Sequence, residues 1–210
     1  MKFNKAAMFG LDARIALAIF GALSVISGAA LYSAIQQAKV VSLLTEMNEF
    51  GKAVENYMLD TGQNLPLWVT GGTNNYTARA GEVSESSVAN WNGPYWPDSP
   101  ISGAEYGFEH STYGRVTVYY MQYNNNTWGE GAAYTAAGYN PAACGNSSYV
   151  GECSAWVSYT AVPKALVFAL DEYVDDGDGG TAGKFRYQYP NTDGINAANY
   201  VTFLQAVQKI

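Results

Sequence analysis

Ile15-Ala16-Leu17-Ala18-Ile19-Phe20-Gly21-Ala22-Leu23-Ser24-Val25-Ile26-Ser27-Gly28-Ala29-Ala30-Leu31-Tyr32-Ser33-Ala34-Ile35-Gln36-Gln37-Ala38 contains no charged residue. Wound as a helix, this run reaches about 36 Å, enough to cross a bilayer core of about 30 Å. Lys2, Lys5 and Arg14 precede it. The helical pattern does not end with the run. Val40, Leu43, Leu44, Met47, Phe50, Val54, Tyr57 and Met58 recur at steps of three and four, which is one apolar face. Glu46, Asn48, Glu49, Lys52, Glu55 and Asn56 fill the other faces. Asp60-Thr61-Gly62 stops the pattern, with Gly62 suited to a left-handed cap. One helix, apolar in its first half and amphipathic in its second, is therefore expected to run to about Asp60.

Three readings of residues 1 to 60 compete. A secretory signal peptide would use Lys2, Lys5 and Arg14 as its charged region and Ile15 to Ser27 as its apolar one. Gly28-Ala29-Ala30 or Ser33-Ala34 would then supply small-residue cleavage sites. An uncleaved anchor is the second reading. The third is a short basic leader, removed ahead of the run. No Gly or Pro interrupts Ala29 to Phe50, and a cut inside that stretch would leave its continuous pattern without a purpose. Retention of the run is favoured.

About 150 residues follow, the size of one ordinary domain. The chain is 48% apolar and only 14% charged, against about a quarter charged in typical domains. Gly, Ser, Thr, Asn and Tyr must cover its surface, which suits secreted proteins and packed assemblies. A net charge of −7 repels phosphate backbones, so no nucleic-acid partner is expected. Membrane contact is expected from the apolar run alone. Cys144 and Cys153 enclose a small, polar stretch from Gly145 to Glu152. In an exported chain this favours a disulfide, and two reduced, buried thiols are the alternative. With one histidine and no third cysteine, a zinc site is not expected.

Residues 61 to 115 read as a loop-rich connection. Alternation predicts strands at Gly114 to Tyr123, Ala155 to Thr160 and Lys184 to Tyr189. Helices are predicted over Pro163 to Tyr173 and over Ala197 to Ile210, where Tyr200, Phe203, Leu204 and Val207 share a helical face. A long helix followed by antiparallel strands is an α+β plan. Asp171, Asp175, Asp176 and Asp178 crowd one turn. They would bind Ca2+ through carboxylates and loop carbonyls, or cap helices and accept backbone hydrogen bonds. The spacing is not that of an EF-hand. Trp91, Tyr95 and Trp96 could form a sugar-binding platform or a loop packed on the core. No catalytic constellation stands out: His110 is the only histidine, and neither a P-loop nor a dinucleotide fingerprint occurs. The chain is not expected to be an enzyme. Asn-x-Ser/Thr sites lie at Asn75, Asn125 and Asn146.

The first sixty residues resemble the N-terminus of type IV pilins and type II secretion pseudopilins. Those begin with a basic leader cut by a prepilin peptidase, after which the new N-terminus is methylated. A long hydrophobic helix follows, with an acidic residue at the fifth mature position and a glycine nine residues later. Asp12 and Gly21 have that spacing and place the cut between Ala7 and Met8. The family has Gly, Phe and Glu where this chain has Ala7, Met8 and Asp12, and an apolar residue where Arg14 stands. Asn90-Trp91-Asn92-Gly93-Pro94-Tyr95 resembles the family's Trp-x-Gly-Pro-Tyr element. Residues 169 to 187 resemble an Asp-Glu-x-x-Asp-Asp-Gly…Gly-x-x-Arg-Tyr element of pilin-like proteins, and the major pseudopilins carry a calcium site in this general region. The resemblance implies a leader at residues 1 to 7, a filament-core helix at 8 to 60 and a head domain at 61 to 210 of the pilin fold. It implies a homopolymer assembled from an inner-membrane precursor by inner-membrane machinery. The product would be an extracellular filament or a periplasmic pseudopilus. Asp12 would pair with the N-terminal amine of the adjacent subunit, and Arg14 is a further candidate partner. A membrane-anchored or secreted surface-binding protein is the expectation from another class.

Overall fold

The computed structural model describes residues 6–68, 77–103, 105–122, 128, 144, 152–189 and 198–208, with the side chains of 6–9 and 11 outside that description. Helix α1 runs from Ala6 to Thr61 without a break. The chain divides into two compact units within that helix, Met1–Val41 and Ser42–Ile210, so the amphipathic half of α1 belongs with the sheet.

In the first unit most of the described apolar side chains are exposed, and Val40 near its end is buried. Ile15, Leu17, Ile19, Phe20, Leu23, Val25, Ile26, Leu31 and Tyr32 are all exposed. Ser24 donates to the Phe20 carbonyl at 2.8 Å, so its hydroxyl is satisfied without water. This is the one helix among the described residues long and apolar enough to cross a membrane.

The second unit opens with the remainder of α1. Of the stripe read from the sequence, Leu43, Met47, Phe50, Val54, Tyr57 and Met58 are buried here and Leu44 is half-buried, with Ala53 buried beside them. Its end is capped as expected: Gly62 takes φ +67° and its N–H returns to the Met58 carbonyl at 2.9 Å. A short 3-10 turn, Ala80–Val83, follows. Among the described residues five strands build one antiparallel sheet: β1 (Gly107–His110), β2 (Gly114–Gln122), β3 (Cys153–Pro163), β4 (Phe185–Gln188) and β5 (Asn199–Gln208). Their order is β1-β2-β3-β5-β4. Helix α2 (Lys164–Asp175) joins β3 to β4, starting directly after Pro163. The architecture is α+β, as expected.

Two expectations need correction. The helix expected over Ala197 to Ile210 is not found, since Asn199–Gln208 is the strand β5. β5 lies between β3 and β4, pairing Val157 with Leu204 and Phe185 with the same Leu204. Residues Tyr200 to Leu204 are buried in succession because a central strand covered on both faces has no polar side. Its β-branched and aromatic run Tyr200-Val201-Thr202-Phe203 fits a strand better than the four-residue spacing fits a helix. The 61–115 segment is also less loop-like than its composition, since it contains β1. Tyr123 and Lys209 with Ile210, at the ends of two expected elements, lie outside the described residues, as do Asn75, Asn125 and Asn146.

Each sheet face has its own core. On one, Phe50 of α1 meets Phe108 of β1 edge-on at 5.5 Å and Trp96 at 4.8 Å. Gly51 lies so close to β5 that an added Cβ would come within 2.9 Å of the Ala206 Cβ. On the other, Tyr119, Met121, Trp128, Trp156, Val201 and Phe203 form one buried cluster. The Arg186 guanidinium lies over the rings of Trp128 and Trp156, 4.4 and 5.1 Å from their centroids. Both indole N–H groups donate to β2 carbonyls, Trp128 to Gln122 at 2.9 Å and Trp156 to Met121 at 3.1 Å. Cys144 and Cys153 are joined as a disulfide at the start of β3.

Candidate functional site

The assembly residues read from the sequence all lie in the first unit. Ala7 and Met8 are in the first turn of α1, and their side chains are outside the described residues. Asp12, Arg14 and Gly21 are exposed. At about 100° per residue, Asp12 and Gly21 are two and a half turns apart and so point to opposite faces. Asp12 and Arg14, two positions apart, also diverge, by about 160°. Among the described residues no ion pair joins them. Gly21 shares its face with Gly10 and Gly28, spaced by eleven and seven residues. A Cβ added at any of the three would meet nothing within 4 Å. Mid-helix glycine costs about 1 kcal/mol relative to alanine, and no contact within the unit offsets it here. The alignment of Gly10, Gly21 and Gly28 is legible in their spacing alone.

The acidic turn after α2 is organised by backbone groups. Asp171 is buried, and its Oδ2 accepts from the Gly179 N–H at 3.2 Å. The Asp175 Oδ2 accepts from the Phe185 N–H at 2.6 Å, holding the start of β4. Asp176 is the left-handed C-cap of α2 at φ +57°, its N–H returning to the Asp171 carbonyl. Gly183 has to be glycine: φ is +67°, and a Cβ would strike the Asp175 carboxylate. Asp178 is exposed. Its carboxyl is pushed up by desolvation and then by the charge of Asp175, with Arg186 opposing. Among the described residues no three carboxylate, imidazole or thiolate groups come together as a metal's donors would. Asp171 and Asp175 each turn an oxygen toward a backbone N–H group, which is the capping arrangement read from the sequence as the alternative to calcium.

A polar cluster that the sequence reading missed lies where α1 meets the sheet in the second unit. Glu46 Oε1 accepts from the Tyr159 hydroxyl at 2.8 Å and lies 3.3 Å from His110 Nε2. His110 Nδ1 accepts from the N–H groups of Thr112 and Tyr113 at 3.1 and 2.8 Å, closing the β1–β2 turn. That pattern puts the ring proton on Nε2, facing Glu46. Burial, then the Glu46 contact, pushes the Tyr159 hydroxyl well above the ordinary tyrosine range. Glu46 stands on the polar side of the helical pattern, and only the tertiary pairing of distant strands brings the three together.

Trp91, Tyr95 and Trp96 do not form a flat platform. The Trp91 and Tyr95 rings are 80° apart at 5.9 Å, and Trp96 is spent on Phe50. Tyr95 donates to Asp60 at 2.7 Å and Trp91 Nε1 to the Glu82 carbonyl at 3.0 Å, so the loop fastens the end of α1. Comparison of the chain with family models, curated proteins and solved structures returned no match.

Proposed function

We propose that this chain is a structural subunit of a type IV pilus-like filament. The observation that carries the reading is the composition of α1. One continuous helix spends its first part as an uncharged, exposed, membrane-length segment and its second part as the core of an α+β domain. A signal peptide has no use for that continuity. Exposed Leu, Ile, Val and Phe side chains need an apolar surrounding, first the bilayer and then neighbouring copies. The basic leader of residues 1 to 7 stays inside by the positive-inside rule, and prepilin peptidase cuts between Ala7 and Met8. Inner-membrane machinery then moves subunits from the bilayer into a helical homopolymer whose core is the Ile15–Ala38 run and whose outside is the domain. A repeated, non-closing contact between identical copies extends without limit, which makes a filament. The protein is then not an enzyme and acts through assembly.

Electron microscopy of cells with and without the gene tests this. Loss of a class of surface filaments on deletion supports the proposal. Retention of every filament refutes it, and loss of protein secretion instead of filaments redirects it to a periplasmic pseudopilus.

A further inference from the structure

Arg14 and Asp12 present a problem that a single copy does not solve. Both are exposed on a helix that is uncharged for the following 24 residues, and they point about 160° apart. A guanidinium or carboxylate brought into apolar surroundings without a partner is costly, so each needs an opposite charge. Among the described residues neither has one within the chain. The Arg14 face is also the face of Gly10, Gly21 and Gly28, all within about 40° of it. Where side chains are missing, a second helix can approach closely.

We propose that Arg14 of one copy pairs with Asp12 of the next, a repeating contact between opposite faces of identical helices. The partner is a second copy of this chain, because its own α1 carries the complementary charge within two residues of the same level. The pairing rests on the filament reading and deepens it. A contact between two different faces is heterologous and does not close on itself, as filament growth requires. Planar guanidinium and carboxylate match as two parallel hydrogen bonds, which fixes the register of neighbours as well as their attraction. The Asp12 carboxylate has acceptor sites to spare, so an N-terminal amine can share it.

Charge exchange between whole chains tests the pairing. Full-length chains carrying Arg14→Asp or Asp12→Arg should each lose filaments at least tenfold. Expressed together they should recover filaments, since each supplies the charge the other lacks. Membrane insertion and the Cys144–Cys153 disulfide serve as checks that both variants are made and folded. Arg14→Gln filaments at the wild-type level would overturn the pairing and leave the filament reading standing. A second readout does not depend on filaments. Chains carrying Asp12→Cys and Arg14→Cys, oxidised together in cell envelopes, should give mixed dimers in several-fold excess over either like pair. Equal yields of mixed and like dimers, or an excess of like dimers, overturn it. Absence of wild-type filaments from a producing cell would refute the filament reading itself, which the cross-link result then does not rescue.

Discussion

Replacing Phe50 with alanine separates the two halves of α1 energetically. Phe50 is fully buried, at 0% exposure, with edge-on partners Trp96 and Phe108 at 4.8 and 5.5 Å. Phe→Ala in a packed core costs about 3–5 kcal/mol, and with two aromatic contacts this site is taken at the middle of that range, about 4 kcal/mol. For a unit of this size each kcal/mol moves the melting temperature by about 2–4 °C, so Tm should fall by about 8–16 °C. Phe20→Ala is the internal control. Phe20 is 70% exposed, so its removal should leave Tm of the folded unit within about 2 °C. Full-length protein in detergent, followed by near-ultraviolet circular dichroism or calorimetry, reads both. A Phe50→Ala shift under 2 °C, or an equal loss from Phe20→Ala, would refute the division of the helix into a core-building half and an unpartnered half.

Four further outcomes follow from the same contacts. Cys153→Ser opens a loop of about ten residues and should cost about 2.5 kcal/mol by the chain-entropy account, seen as a lower urea midpoint. Gly51→Val forces a side chain against Ala206, 2.9 Å from where its Cβ would sit, and should cost about 1–3 kcal/mol in the same assay. Burial, then Glu46, raises Tyr159, and burial raises Tyr120. Stability tied to these hydroxyls is complete below the ordinary tyrosine range near pH 10 and falls as pH rises above it. Urea midpoints from pH 8 to 11 should show the fall, with a shallower one in Tyr159→Phe; identical profiles would contradict the assignment. Calcium should not raise the melting temperature, because Asp171 and Asp175 hold Gly179 and Phe185; a rise of several degrees that EDTA reverses would contradict the capping role.

The helix was legible because its signal is local. The stripe Leu43, Met47, Phe50, Val54 and Tyr57 obeys a single period, and Gly62 marks its end whatever surrounds it. β2 and β3 were legible for a similar reason, although β3 extends to Pro163 beyond its expected end. β5 was not, since pairing on both edges and burial on both faces erase alternation, and the remaining four-residue spacing imitates a helix. β1 was hidden by its length of four residues and by the polar Glu109 and His110. The Glu46–His110–Tyr159 contact and the Arg186 seat between Trp128 and Trp156 join elements far apart in sequence. Neither leaves a local trace. Of the assembly residues, the spacing of Asp12 and Gly21 was plain. That Asp12 and Arg14 face apart follows only once the helix is drawn through both.

The mass of the N-terminal peptide of the mature protein tests the account most directly. A peptide that begins at Met8 and carries one added methyl group is the expected result, because only a retained, processed helix can serve as a filament core. A mature chain beginning after Ala30 or Ala34 would mean the apolar run is a discarded signal, and the filament account would be wrong.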